Sequence, residues 1–290
     1  MAPRVPEYAA KFKTIKMEID DRGICVATLV GNDKGGVNLL NGRLFKEFGI
    51  MIRGVDADDS VRVLIVRSAN EDFWMAHLDV NSILNDPDIN SGRMGVLNEW
   101  HNMGEILRNM PKATIAEVAG RVGGGGHEFC LNFDMRFGVY GKTKICQMEA
   151  ALGIMPGGGC PVNMHRYIGV GRTMEMVLTS CDIDAETAEK WGLMNRCFPD
   201  AASCRAHVDA VAARVASFSV EAVRCGKAAV LAAERMPHTE ALKENLALFY
   251  RSARTPEATR LMQEFLKMGG QTREVELNIQ DSINRLSSKL

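Results

Sequence analysis

The chain has 290 residues, 46% hydrophobic and 24% charged, with a net charge of −1. That balance supplies ample core material but no basic field for nucleic acid and no polybasic block for a membrane surface. The eight cysteines lie scattered without a C-x-x-C pair; with no signal-peptide pattern in MAPRVPEYAAKFKT, they read as reduced core thiols rather than disulfides or metal ligands.

Residues 1–13 read as a loose lead-in. Ile15 to Ile19 alternates apolar and polar, Ile24 to Val30 is apolar and β-branched, and Asp20 to Gly23 between them completes a hairpin signal. Asn32 to Gly36 is a polar loop. Asn41 to Val55 places Leu44, Phe45, Phe48, Ile52 and Val55 at helical spacing. Val61 to Val66 reads as a buried strand. DFWMAHLDV (Asp72 to Val80) reads as a loop, followed by a helical stretch interrupted at Asn85 to Gly92. Met94 to Met110 predicts an amphipathic helix closed by Pro111. Thr114 to Val118 and Met135 to Val139 read as strands. Gly169 to Leu178 reads as a helix, Asp184 to Gly192 as another capped by Asp182 or Asp184, and Leu193 to Phe198 as a short strand. From Ala206 to Leu266 the composition turns to Ala, Glu, Arg, Leu and Met, broken at Pro237 and Pro256, which predicts three or four helices. No internal repeat stands out. The expected class is α/β, with a core over residues 1–204 and a helical C-terminal subdomain over 205–290. No apolar run is long enough to span a bilayer.

Chemistry concentrates between Pro111 and Cys160. Gly123 to Gly126 follow the Thr114 strand, and a helix reads as opening at His127-Glu128. Glycines admit a ligand close to the backbone, and a helix start beside them offers free N–H groups where negative charge develops. Glu149 lies in apolar company, which raises a carboxyl toward neutrality, and a second glycine cluster follows at Gly157 to Gly159. Two acids at one place can move protons. Singly, each feature also has a structural reading: a tight turn, a first-turn dipole partner, a surface acid. Other motifs fail. Gly141-Lys142-Thr143 lacks the glycine a phosphate loop requires, since Arg136 stands there; the glycine run does not fit G-x-G-x-x-G; and there is no G-x-S-x-G or H-E-x-x-H.

Three motifs give the combination a name. WMAHLDV (Trp74 to Val80) stands where a known family has F-x-A-G-A-D-L. IAEVAGRVGGGGHEFCLNFD (Ile115 to Asp134) answers its I-A-A-V-N-G-x-x-x-G-G-G-x-E-x-x-x-x-x-D, and MEAALGIMPGGG (Met148 to Gly159) its P-E-x-x-x-G-x-x-P-G-x-G. From Val61 to Pro199 the chain resembles the crotonase superfamily, the enoyl-CoA hydratase/isomerase family. The resemblance implies a crotonase-like spiral of ββα units with a helical C-terminal part that assembles as a homotrimer or a dimer of trimers. It implies backbone N–H groups of Ala76 and Gly125 as the oxyanion hole for an acyl-CoA thioester. Glu128 and Glu149 would be the acid/base pair of a hydratase, and His77, Asp79, Gly124, His127 and Gly157 would contact substrate. It implies no cofactor and no metal, since coenzyme A belongs to the substrate.

The chain departs from the family at His77, which replaces a small residue, at Met148, which replaces a proline, and at FLKMGG (Phe265 to Gly270), where the basic F-x-E-K-R-x-P is lost apart from Lys267. These departures leave open a CoA-independent β-diketone hydrolase, in which His77 or His127 would assist carbon–carbon cleavage. The motifs are also compatible with an enoyl-CoA isomerase, and less well with a non-catalytic acyl-CoA-binding protein. Ser288-Lys289-Leu290 reads as the peroxisomal address recognised by the import receptor; in a bacterial source it would carry no meaning and the expectation would be cytosolic.

Overall fold

In a computed structural model of the chain, residues 2–31, 36–87, 89, 91 and 96–287 are described; the address at Ser288, Lys289 and Leu290 lies outside them. The elements in order are β1 (Ile15–Ile19), β2 (Ile24–Leu29), α1 (Gly42–Ala57), β3 (Val63–Ser68), β4 (Phe73–Met75), α2 (Val80–Leu84), α3 (Glu99–Asn109), β5 (Ala113–Val118), β6 (Arg121–Gly123) and α4 (Gly124–Cys130). Then come β7 (Met135–Val139), β8 (Lys144–Cys146), a 3₁₀ turn at Glu149–Leu152, α5 (Cys160–Thr179), β9 (Ile183–Asp184), α6 (Ala185–Trp191) and β10 (Arg196–Phe198). The helices α7 (Ala201–Ala216), α8 (Val220–Arg235), α9 (His238–Ala253), α10 (Pro256–Lys267), α11 (Arg273–Leu277) and α12 (Ile279–Ser287) complete the chain.

The β1–β2 hairpin is antiparallel, with Ile15 opposite Leu29 and Ile19 opposite Cys25. It opens a sheet in the order β1-β2-β3-β5-β7-β10, parallel beyond the hairpin. A second sheet runs β4-β6-β8-β9. Each of β3, β5 and β7 in the large sheet is followed by a short strand in the small one and then by helix, so β3-β4-α2, β5-β6-α4 and β7-β8-α5 are three turns of a ββα spiral. Sequence reading missed β6, β8 and β9 and took β4 for a loop. Strands of two or three residues are too short to display a period of two. The helical C-terminal region is present.

The main core lies between the sheets and their helices and includes Phe48, Met51, Trp74, Phe129 and Phe133. On the other face of the large sheet α7 lays Cys204, Val208 and Ala212 against Ile65, Ile115 and Phe137. All eight cysteines are free and seven are buried, consistent with their reading as small apolar residues. Caps close the helices as their residues allow: Asn41 accepts from Arg43 and Leu44 at the start of α1, and Asp184 from Thr187 at the start of α6. No helix among the described residues is long and apolar enough to cross a membrane.

Candidate active site

The small sheet aims its strand ends at one place: β4 ends at Met75, β6 runs into α4, and β8 ends three residues before Glu149. The predicted helix at His127 in fact begins at Gly124, so three glycines occupy its first turn. Glycine is poor in helix interiors, and close packing explains its use here. A Cβ on Gly125 would lie 2.5 Å from Trp100 Cη2, and Gly124 has φ +44° with Glu149 Oε1 2.9 Å and His77 Cβ 3.2 Å from where its Cβ would stand. First-turn amides have no acceptor within their own helix, so the Gly125 N–H is available to a ligand.

Glu128 projects from α4 with 4% of its surface exposed, and Glu149 has 8%. Glu128 Oε1 accepts from Gly158 N at 2.8 Å and Cys160 N at 3.0 Å. Burial nonetheless pushes its carboxyl up to about 7, and the charge of Glu149 adds to the rise. Burial also raises Glu149, opposed by the nearby His77. Glu149 Oε2 is buried without a hydrogen-bond partner among the described residues. The thiol of Cys160 is pushed up by burial and then by both carboxylates, so both acids lie within electrostatic reach of it. Burial thus raises both carboxyls, and the charge of Glu149 further disfavours ionising Glu128.

The geometry corrects one expected oxyanion donor. Ala76 N donates to Asn38 O at 3.2 Å, in a short ladder where Leu40 N bonds His77 O at 2.9 Å and Asp79 N bonds Leu40 O at 3.2 Å. That ladder consumes the Ala76 amide and skips Leu78, whose N–H has no acceptor among the described residues. Leu78 Cβ stands 3.3 Å from the Cβ position of Gly125, so the residue left out of the ladder is a neighbour of the first turn of α4. Asn38 anchors this segment, its Nδ2 donating to Ser68 Oγ at 2.8 Å and to the carbonyls of Phe73 and Trp74 at 3.2 Å each.

The expected substrate contacts divide. Gly124 and His77 lie beside Glu149; His77 Nδ1 donates to Leu78 O at 2.8 Å. Gly157 lies in the glycine loop that holds Glu128, its carbonyl 3.0 Å from His101 Nε2. Asp79 is the N-cap of α2, accepting from Asn81 N at 3.0 Å, so its carboxylate is engaged by the fold. His127 leaves the contact set: it is fully buried, Gln147 Nε2 meets its Nδ1 at 2.7 Å, and burial with the nearby Arg136 drives it down to about 3. An inaccessible, neutral imidazole cannot touch substrate. Lys267 pairs with Glu264 at 2.9 Å on the exposed end of α10. Among the described residues no group of three His, Cys, Asp or Glu side chains is placed to hold a metal ion.

A family model for enoyl-CoA hydratase/isomerase matches residues 20–271. The chain belongs to this family. Family members at moderate identity include a probable enoyl-CoA hydratase of Mycobacterium bovis, 27% identical over 88% of this chain and 96% of that one. A short-chain-enoyl-CoA hydratase of Clostridium acetobutylicum is 29% identical over 59% of this chain and 64% of its own length. The crystal structure of an enoyl-CoA hydratase from Bacillus anthracis superimposes with a TM-score of 0.80 at 22% identity, covering 88% of this chain and 97% of that one. At that identity it speaks for the crotonase-like fold alone.

Sequence reading did not find Leu78, Asn38, Trp100 or His101. A leucine amide carries no side-chain signal, and Trp100 read as one more apolar residue of an amphipathic helix.

Proposed function

We propose that the chain adds water across the 2,3-double bond of an acyl-CoA thioester. The observation that carries this reading is the pair Glu128 and Glu149, nearly out of water and within electrostatic reach of each other, beside the amides of Leu78 and Gly125. The thioester oxygen would take those two N–H groups as it gains enolate charge. One carboxylate accepts a proton from water as the hydroxyl bonds to C3; the other carboxyl delivers its proton to C2. The pair carries one proton before the step and one after it, so one site runs both steps. This reaction needs no cofactor beyond the coenzyme A carried by the substrate.

A second reading rests on His77, which sits beside Glu149 where the family has a small residue: a hydrolase cleaving a β-diketone. The test incubates purified protein with a chain-length series of 2-enoyl-CoA thioesters and, in parallel, with a cyclic β-diketone. Loss of the conjugated thioester absorbance supports hydration. Diketone turnover alone favours the second reading, and acyl-CoA binding without turnover of anything refutes both. Assembly as a trimer or dimer of trimers belongs to the same proposal. It is supported by α9, which buries Leu248 and leaves Leu242, Leu246, Phe249 and Tyr250 exposed; sedimentation measures it.

A further inference from the structure

Two consecutive residues at the start of α3 grip two consecutive carbonyls of the glycine loop. Trp100 Nε1 donates to Gly158 O at 3.2 Å, and His101 Nε2 stands 3.0 Å from Gly157 O. A carbonyl only accepts, so His101 Nε2 carries the proton. The grip itself is braced. Asn98 Oδ1 caps α3 by accepting from His101 N at 3.3 Å. The indole of Trp100 packs tilted against Phe129 at 4.5 Å and stacks on Phe45 at 5.8 Å between ring centroids. The same loop turns its amides the other way, with Gly158 N and Cys160 N both on Glu128 Oε1. The loop is thus held by its carbonyls on one side and holds the carboxylate by its amides on the other.

We propose that His101 and Trp100 are positioning residues for Glu128, acting through the Gly157–Cys160 loop and not by touching substrate. The proposal rests on the reading of Glu128 as an acid/base group. Its first consequence concerns ionisation: two amides on one oxygen favour the carboxylate, so loosening the loop raises the pH at which Glu128 ionises. Its second is kinetic, because a reacting group displaced by a fraction of an ångström loses turnover before it loses substrate affinity. His101 is the cleaner probe, since Trp100 also packs on Gly125. Gln at 101 can return an N–H to the Gly157 carbonyl; Ala cannot.

The experiment follows the Glu128 carboxyl by NMR in protein carrying ¹³C-labelled glutamate, its resonance assigned by its absence in E128Q, through a pH titration of the parent, H101A and H101Q. Expected is an ionisation about one pH unit higher in H101A, a fall in kcat of roughly 10- to 100-fold with KM nearly unchanged, and return of both readouts toward the parent in H101Q. W100F, which keeps a ring but loses the donor, should move both the same way. An unchanged Glu128 ionisation in H101A overturns the proposal, as does a loss carried by KM alone. The titration requires no substrate, so if no enoyl-CoA is turned over the functional reading falls while the clamp is still decided.

Discussion

Replacing Glu128 with Gln removes a charge while keeping an oxygen for the amides of Gly158 and Cys160. Burial moves this carboxyl from 4.5 to about 7, so ionising it in the folded protein costs roughly 3 kcal/mol more than in solution. The unfolded chain gives up the proton near the lower value and the native chain holds it until the higher one. The stability associated with the protonated acid is therefore complete below the lower value and is lost as pH climbs through the higher. A neutral Gln escapes the loss. Urea unfolding of the parent and of E128Q, measured from pH 5 to pH 8, should show the variant's advantage growing by about 2.5 kcal/mol across that range, whatever constant offset its packing introduces. At every pH in that range E128Q should turn over an enoyl-CoA about 10²–10⁴-fold more slowly than the parent. A stability difference flat with pH would refute the argument, because it would mean that Glu128 titrates like a solvated acid.

Three further outcomes follow from the geometry. Glu149→Gln should lower kcat by about 10²–10⁴-fold and remove one limb of the bell-shaped pH–rate profile, both read in the thioester-absorbance assay. Gly125→Ala drives a methyl into Trp100 Cη2, 2.5 Å away; thermal melts should show a loss of about 1–3 kcal/mol, with activity falling further than stability. Glu47 accepts from Lys13 N at 2.9 Å, Thr14 N at 2.8 Å and Thr14 Oγ1 at 2.6 Å, tying the chain before β1 to α1. Glu47→Ala orphans those donors and should cost about 2–4 kcal/mol by urea denaturation. The hydrogen bonds from Thr14 and Lys13 hold the Glu47 carboxyl below its ordinary range against burial, so this contribution should fade as pH falls through the carboxylate range.

Much of this protein is legible in the chain alone because the signals are local. The β1–β2 hairpin, α1, the apolar β3 and the Pro-broken C-terminal helices each follow from period and turn chemistry within a few residues. So do the two glycine clusters and the two acids, and the motifs around them led to the family. The spiral was reached only through the family resemblance and not from local pattern, because its second sheet is made of strands too short to show alternation and held only by neighbours distant in sequence. The donor at Leu78 was equally hidden: whether an amide is free depends on which carbonyl passes by, here that of Asn38 claiming Ala76 instead. The same reason removes His127 from the site and brings in Trp100 and His101. Residue type decides what a side chain can do chemically, but burial, partner and free amide are properties of the packed chain, and only the tertiary structure assigns them.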